Sequence, residues 1–180
     1  MATHIALHEI GVAFEPKPLS FARKENRVSD YLALNPEGKV PTLLIDGKPL
    51  TEVLAILFWL AKSYPAADLL PQGLESDAQA LSWMSFIAAT LHPARSRGEA
   101  HARNVFAIAD KRLGDREWAL GRYSIADIHL FRLFWRFKGS FKPAAAEFPS
   151  LSAHYDRMMA RAAVRKTIEI EEKIGYNLPA

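Results

Sequence analysis

The 180-residue sequence contains no cysteine. That excludes disulfides, cysteine-ligated zinc and any reaction carried by a protein thiolate. Long apolar runs are also missing: the longest, Val53 to Ala61, is about half of the roughly 20 residues that a membrane-crossing helix requires. The N-terminus lacks a basic stretch followed by an apolar one, so a cytoplasmic protein without a membrane partner is expected. There is no glycine-rich phosphate loop, and no Ser-His-Asp arrangement can be inferred. His8, His101, His129 and His154 show no ligand spacing to one another or to paired carboxylates, so no metal site is expected. Charge of one sign is modest, with a formal net of +3. Its Lys and Arg residues are scattered along amphipathic segments, which reads as a solvated surface that tolerates small anions, and no nucleic-acid partner is expected. What is present, 49% hydrophobic and 24% charged residues, is enough for one generous core or two smaller ones.

The densest local grammar lies in residues 35–62. Asn35-Pro36 and Glu37-Gly38 punctuate a loop, Pro41 opens a short apolar run, Asp46-Gly47 is a hairpin turn signal, and Pro49-Leu50-Thr51 is a return strand. The helix that follows, Val53 to Lys62, is apolar on every face and must be covered by packed structure. Upstream, Met1 to Ile10 has helical periodicity with Gly11 as its stop. Phe14 to Phe21 is a weak, proline-interrupted strand, and Ser29 to Leu34 is a short helix that Ser29 or Asp30 can cap.

Residues 64–75 carry two prolines and a glycine without periodicity, and read as a linker between a first unit, 1–63, and a second, 76–180. The second unit is expected to be all helical. Ser76 or Asp77 caps its first helix, which His92-Pro93 ends or kinks; Ala102 to Leu113 forms the next. Ser124-Ile125-Ala126-Asp127 is a capping box, and Tyr123 is placed to staple onto Ile128. Leu130, Phe131, Phe134, Trp135 and Phe137 then supply a large aromatic face. Arg132, Arg136 and Lys138 read as a solvated face beside that core. Two further helices, Leu151 to Arg161 and Val164 to Ile174, complete the chain.

The order of these parts resembles the cytosolic glutathione transferases, most closely their bacterial members. The resemblance rests on Asn35-Pro36-Glu37-Gly38-Lys39-Val40-Pro41, Leu50-Thr51-Glu52, Ala55-Ile56 and the Ser124-to-Asp127 box. It continues in Phe148-Pro149-Ser150-Leu151, followed by Tyr155 and Arg161-Ala162-Ala163-Val164. It implies an α/β plus all-α fold: a thioredoxin-like N-terminal domain, here truncated at its start, and an all-helical C-terminal domain. It also implies a cis Val40-Pro41 bond and a Val40 backbone that pairs with the peptide of glutathione like an added strand. By the same resemblance Glu52 accepts from the γ-glutamyl ammonium, the free amides at Val53 attract its carboxylate, and Lys39 reaches the glycyl carboxylate. The co-substrate is then glutathione, the partner a small hydrophobic electrophile, and the assembly a homodimer.

Two departures from the family pattern bear on function. Val53 stands where the family has a serine, which removes a charged hydrogen bond worth roughly 1.5–3 kcal/mol. The chain also opens in what resembles the first helix, so the first strand and the thiol-activating Tyr, Ser or Cys are expected to be missing. Either Phe14 to Phe21 shifts inward to pair with the Pro41 strand, or another chain fills the gap, or the natural start lies upstream. His92 falls where similar bacterial members carry a histidine near the glutathione sulfur, and is the catalytic candidate; its other reading is a histidine favoured by the helix dipole. Thr3 and His4 are weaker candidates. Glutathione conjugation is the leading expectation, and a catalytically impaired dimeric binding or assembly module is the alternative.

Overall fold

The computed structural model describes residues 1–175, so residues 176–180 of the expected second unit lie outside the described residues. Helix α1, Ala2–Ile10, ends at Gly11 with φ 80, a left-handed value that glycine adopts without the Cβ penalty. Helix α2, Ser29–Leu34, leads through a loop to strand β1, Thr42–Ile45, and strand β2, Lys48–Thr51. Asp46 and Gly47 both have positive φ, 49 and 79, which gives the two-residue turn whose twist matches a hairpin. β1 and β2 pair antiparallel, with Thr42 opposite Thr51. Helix α3, Val53–Ser63, follows directly.

The rest is helical: α4, Leu74–Phe86; a π-helical segment, Ile87–Leu91, running into the single turn α5, His92–Ala94; α6, Glu99–Leu113; α7, Ile125–Phe141; α8, Pro149–Met159; and α9, Ala162–Ile174. The π segment has a local cause. Pro93 has no N–H and its ring crowds the carbonyl four residues back, so the ladder widens at Ala89 instead of breaking. The helix expected to end or kink at His92-Pro93 thus runs on through the π segment into α5.

Helix α7 is the centre of the core. Its Phe131, Phe134 and Phe137 are almost wholly buried, each burial contributing about 1.5–3 kcal/mol. Phe137 stacks on Phe106 of α6 at 4.2 Å, and Phe134 meets Phe148 edge-on at 6.2 Å. The capping box forms: Asp127 accepts from the Ser124 amide at 2.9 Å and from its hydroxyl at 2.9 Å. α3 packs against α1, α7 and β2, which explains a helix with so little polar surface. The two halves are clasped by Glu9 of α1, which accepts two hydrogen bonds from Arg161, at 2.6 and 3.0 Å, and one from Tyr123 at 3.0 Å.

Several local expectations are corrected. Phe14 to Phe21 forms no strand and does not pair with β1, because among the described residues the sheet is only β1 and β2. Neither Ser29 nor Asp30 caps α2; Val28 is the cap residue, and the Ser29 hydroxyl is drawn to the Asp30 carboxylate at 3.1 Å. α4 begins at Gly73 and Leu74, ahead of Ser76 and Asp77: the Asp77 amide already donates to the Gly73 carbonyl at 3.0 Å inside the helix, and its carboxylate pairs with Lys62 at 2.7 and 2.6 Å. α8 and α9 begin two residues earlier than their apolar periodicity predicts, within ordinary end variation.

Candidate functional site

The loop between α2 and β1 is held from inside by side chains that carry no motif. Buried Asn26 donates to the Gly38 carbonyl at 2.7 Å, and Arg27 donates to the Glu37 carbonyl at 3.1 Å. Asn35, also buried, donates to the Lys39 carbonyl at 2.8 Å, and the Tyr31 hydroxyl donates to the same oxygen. Tyr31 is itself 2.9 Å from the Thr42 hydroxyl, at the head of β1. Three successive carbonyls are thus each bonded to a side chain, the Gly38 one to a buried Asn26. A glycine is required at 38, where φ is +62 and a Cβ would lie 2.7 Å from the Asn26 carbonyl oxygen.

This tying has a directional consequence. The Lys39 carbonyl and the Val40 amide belong to one trans peptide plane, on whose opposite edges they point. Holding the Lys39 oxygen on those side chains turns the Val40 N–H to the opposite edge. Val40 is 46% exposed, and the bond from it to Pro41 is cis.

The hairpin register brings the second half of the site alongside. Since Thr42 faces Thr51, Lys39-Val40-Pro41 and Glu52-Val53 sit at the same end of the hairpin. Glu52 is the N-cap of α3, with φ 66 and ψ 120 and no side-chain cap bond. The first amides of α3 are therefore open to an anion, in the positive field of the helix terminus. Lys39 currently pairs with Glu37, whose hydrogen bond and charge raise the lysine pKa.

His92, at the start of α5, comes from the helical half and feels both Glu52 and Lys39. Its pKa lies below the usual histidine value. Desolvation of its covered side is the largest cause, followed by the positive charges of Arg132 and Arg136 on α7; Glu52 opposes them. The imidazole is neutral at neutral pH. Lys39, Val40, Pro41, Glu52 and Val53 thus sit at one end of the hairpin, with Val53 offering no hydroxyl, and His92 comes within electrostatic reach of Lys39 and Glu52. His4 is engaged elsewhere: its Nδ1 is 2.9 Å from Glu171 of α9, and its ring lies 5.4 Å from Phe14. Thr3 is buried, its hydroxyl without a partner among the described residues.

Asn26, Tyr31 and Asn35 were not legible as site residues, although Asn35 was read as loop punctuation. Arg132 and Arg136 were read as a solvated face. Their spacing from His129, three and then four residues, is the signal that puts all three on one stripe of α7.

A small hairpin-and-helix unit with a cis-proline turn, joined to an all-helical unit, fits a thioredoxin-like domain followed by a helical C-terminal domain. Comparison with known proteins agrees. The family model "Glutathione S-transferase, N-terminal domain" matches residues 1–62, and "Glutathione S-transferase, C-terminal domain" matches residues 77–162. The chain is 32% identical to glutathione S-transferase GstA of Escherichia coli O157:H7, covering 95% of this chain and 93% of that one. A sphingomonad glutathione S-transferase solved in complex with glutathione superposes with a TM-score of 0.84 at 33% identity, covering 95% and 93%. A ternary complex of BphK, a bacterial glutathione transferase, gives 0.83 at 29% identity, covering 95% and 94%. The chain belongs to the glutathione S-transferase family.

Proposed function

We propose that this protein binds glutathione at the open end of the hairpin and presents its thiolate to a hydrophobic electrophile. The carrying observation is the hold of Asn35 and Tyr31 on the Lys39 carbonyl, which turns the N–H of the exposed Val40 to the opposite edge of that peptide plane. An extended peptide laid along Val40 pairs with it as an added strand. Its γ-glutamyl carboxylate meets the open amides of α3, its ammonium meets Glu52, and Lys39 exchanges Glu37 for the glycyl carboxylate.

In the reaction the thiol gives its proton to solvent, the thiolate forms a carbon–sulfur bond with the electrophile, and the displaced group leaves with its electron pair. The neutral His92 donates its ring N–H to the developing thiolate, which raises the thiolate fraction at neutral pH. The electrophile packs against the helical half. Leu74 and Leu81 lie seven residues apart on one exposed face of α4, 87% and 38% exposed, and support a homodimer formed there. No described helix is long and apolar enough to cross a membrane, in keeping with a cytoplasmic location. Calorimetric titration tests the reading: glutathione should bind at millimolar concentration or below, and an absence of binding there overturns it.

Val53 favours a second reading, a member that binds glutathione weakly and has lost conjugation, serving as a dimeric binding module. Conjugation of a chloronitroaromatic separates the two: turnover above the uncatalysed rate supports the enzyme, and bound glutathione without turnover supports the module.

A further inference from the structure

Between α1, the segment that follows it and α9 lies a cavity of about 290 Å³. Part of its lining is apolar: Phe14 and Pro16 from the segment after Gly11, and Ile170 from α9. The rest includes His4 and His8, one helical turn apart on α1, and Lys166 of α9. Both imidazoles lie against the Phe14 ring, with centroids 5.4 and 5.1 Å from it. None of these residues belongs to the hairpin end or to the stretch around His92, so the cavity is separate from the proposed glutathione cradle.

The carboxylates on the surrounding elements are mostly engaged. Glu171 lies 2.9 Å from His4 Nδ1, Glu9 is held by Arg161 and Tyr123, Glu15 pairs with Lys17 at 3.6 Å, and Glu169 pairs with Lys173 at 2.6 Å. Glu172 is exposed and does not line the cavity. Lys166 pairs with no carboxylate among the described residues, and the His8 ring makes no hydrogen bond among them. Consistent with that excess of positive charge, His8 is held below the ordinary histidine pKa, first by desolvation and then by Lys166 and His4.

We infer that this cavity binds an aromatic carboxylate, with its ring against Phe14 and Ile170 and its carboxylate between Lys166 and His8. An apolar cavity of about 150 Å³ holds a benzene ring, so the larger space here takes a ring and its carboxylate. An inorganic anion leaves the apolar lining unfilled, and a neutral aromatic leaves the two donors without an acceptor; one molecule carrying both groups meets both. The site is independent of the glutathione reading.

The test titrates 4-fluorobenzoate and its neutral counterpart 4-fluorobenzamide into the whole chain, followed by fluorine NMR. The carboxylate should bind at millimolar concentration, at least about fivefold tighter than the amide. No binding there, or a smaller preference, overturns the inference. Lys166→Gln, at an exposed position, should remove most of that preference; an unchanged preference places the carboxylate elsewhere and overturns it too. The ring resonances of His8 should move with the probe and their titration midpoint should rise, since a nearby carboxylate favours the imidazolium. Movement of the Val40 and Glu52 amides with His8 unmoved puts the probe at the hairpin end, which overturns this inference and leaves the glutathione reading intact.

Discussion

Asn35 donates its side-chain amide to the carbonyl oxygen of Lys39 at 2.8 Å, and that one bond helps decide which way the next residue's N–H points. Asn35→Ala removes it while Tyr31 still holds the same oxygen. A single neutral hydrogen bond contributes about 0.5–1.5 kcal/mol, so glutathione affinity should fall about two- to tenfold. The Tyr31→Phe/Asn35→Ala pair should lose more than the product of the single effects, because each bond backs up the other. Calorimetry on the three variants checks this, and unchanged affinity in all of them contradicts it.

Val53 is the first residue of α3 and presents no hydroxyl to the site. Val53→Ser should tighten glutathione binding by about tenfold or more, since hydrogen bonds to charged groups contribute roughly 1.5–3 kcal/mol. A looser or unchanged dissociation constant would show that the γ-glutamyl carboxylate does not lie at the α3 terminus.

Asp127 is fully buried and accepts from the Ser124 amide and hydroxyl, from the Ala119 amide at 2.8 Å, and lies 3.1 Å from His154 Nε2. It ties the start of α7 to the preceding turn and to α8. Asp127→Ala leaves several buried donors unsatisfied, and should cost roughly 3 kcal/mol or more in urea unfolding. Ser124→Ala should cost about 1 kcal/mol, the usual size for loss of a cap.

His129 is buried on α7, and burial first, then the charges of Arg132 and His92, push its pKa down to about 3. The sign follows from linkage. Unfolded His129 takes a proton as pH falls below its ordinary value of about 6.5, while the folded form resists until about 3, so the stability it contributes is present above 6.5 and is lost on acidification through that window. The loss should approach about 1.4 kcal/mol per pH unit between those two values. His129→Phe should flatten the acid limb of the stability profile, measured by urea unfolding between pH 7 and 4. An identical slope in the two proteins contradicts the assignment.

His92 is held below the usual histidine pKa by its desolvated side and by Arg132, Arg136 and Lys39, against Glu52. Arg136→Gln removes one of the lowering charges. The His92 resonance, followed by NMR titration, should move its midpoint up in that variant and down in Glu52→Gln. No movement in either would place His92 away from both groups.

The parts legible in the sequence were those whose signal closes within a few residues. Asp46-Gly47 specified its turn through two positive φ values, Ser124 and Asp127 specified the start of α7, and the family resemblance around Val40-Pro41 implied the cis bond that is found there. Phe14 to Phe21 failed as a strand because strand formation depends on a partner, which no local pattern supplies. Gly73, in place of Ser76 or Asp77, heads α4 because its carbonyl takes the Asp77 amide, a backbone bond that residue identity does not announce. Asn26, Tyr31 and Asn35 escaped notice for the same reason: their acceptors are backbone carbonyls, and backbone is invisible in residue identity.

The most direct measurement is the amide NMR spectrum of the chain titrated with glutathione. The Val40 N–H should shift strongly and exchange more slowly as it gains a partner, together with the amides of Glu52 and Val53. Saturation of glutathione binding with those three amides unmoved would contradict the cradle at the hairpin end.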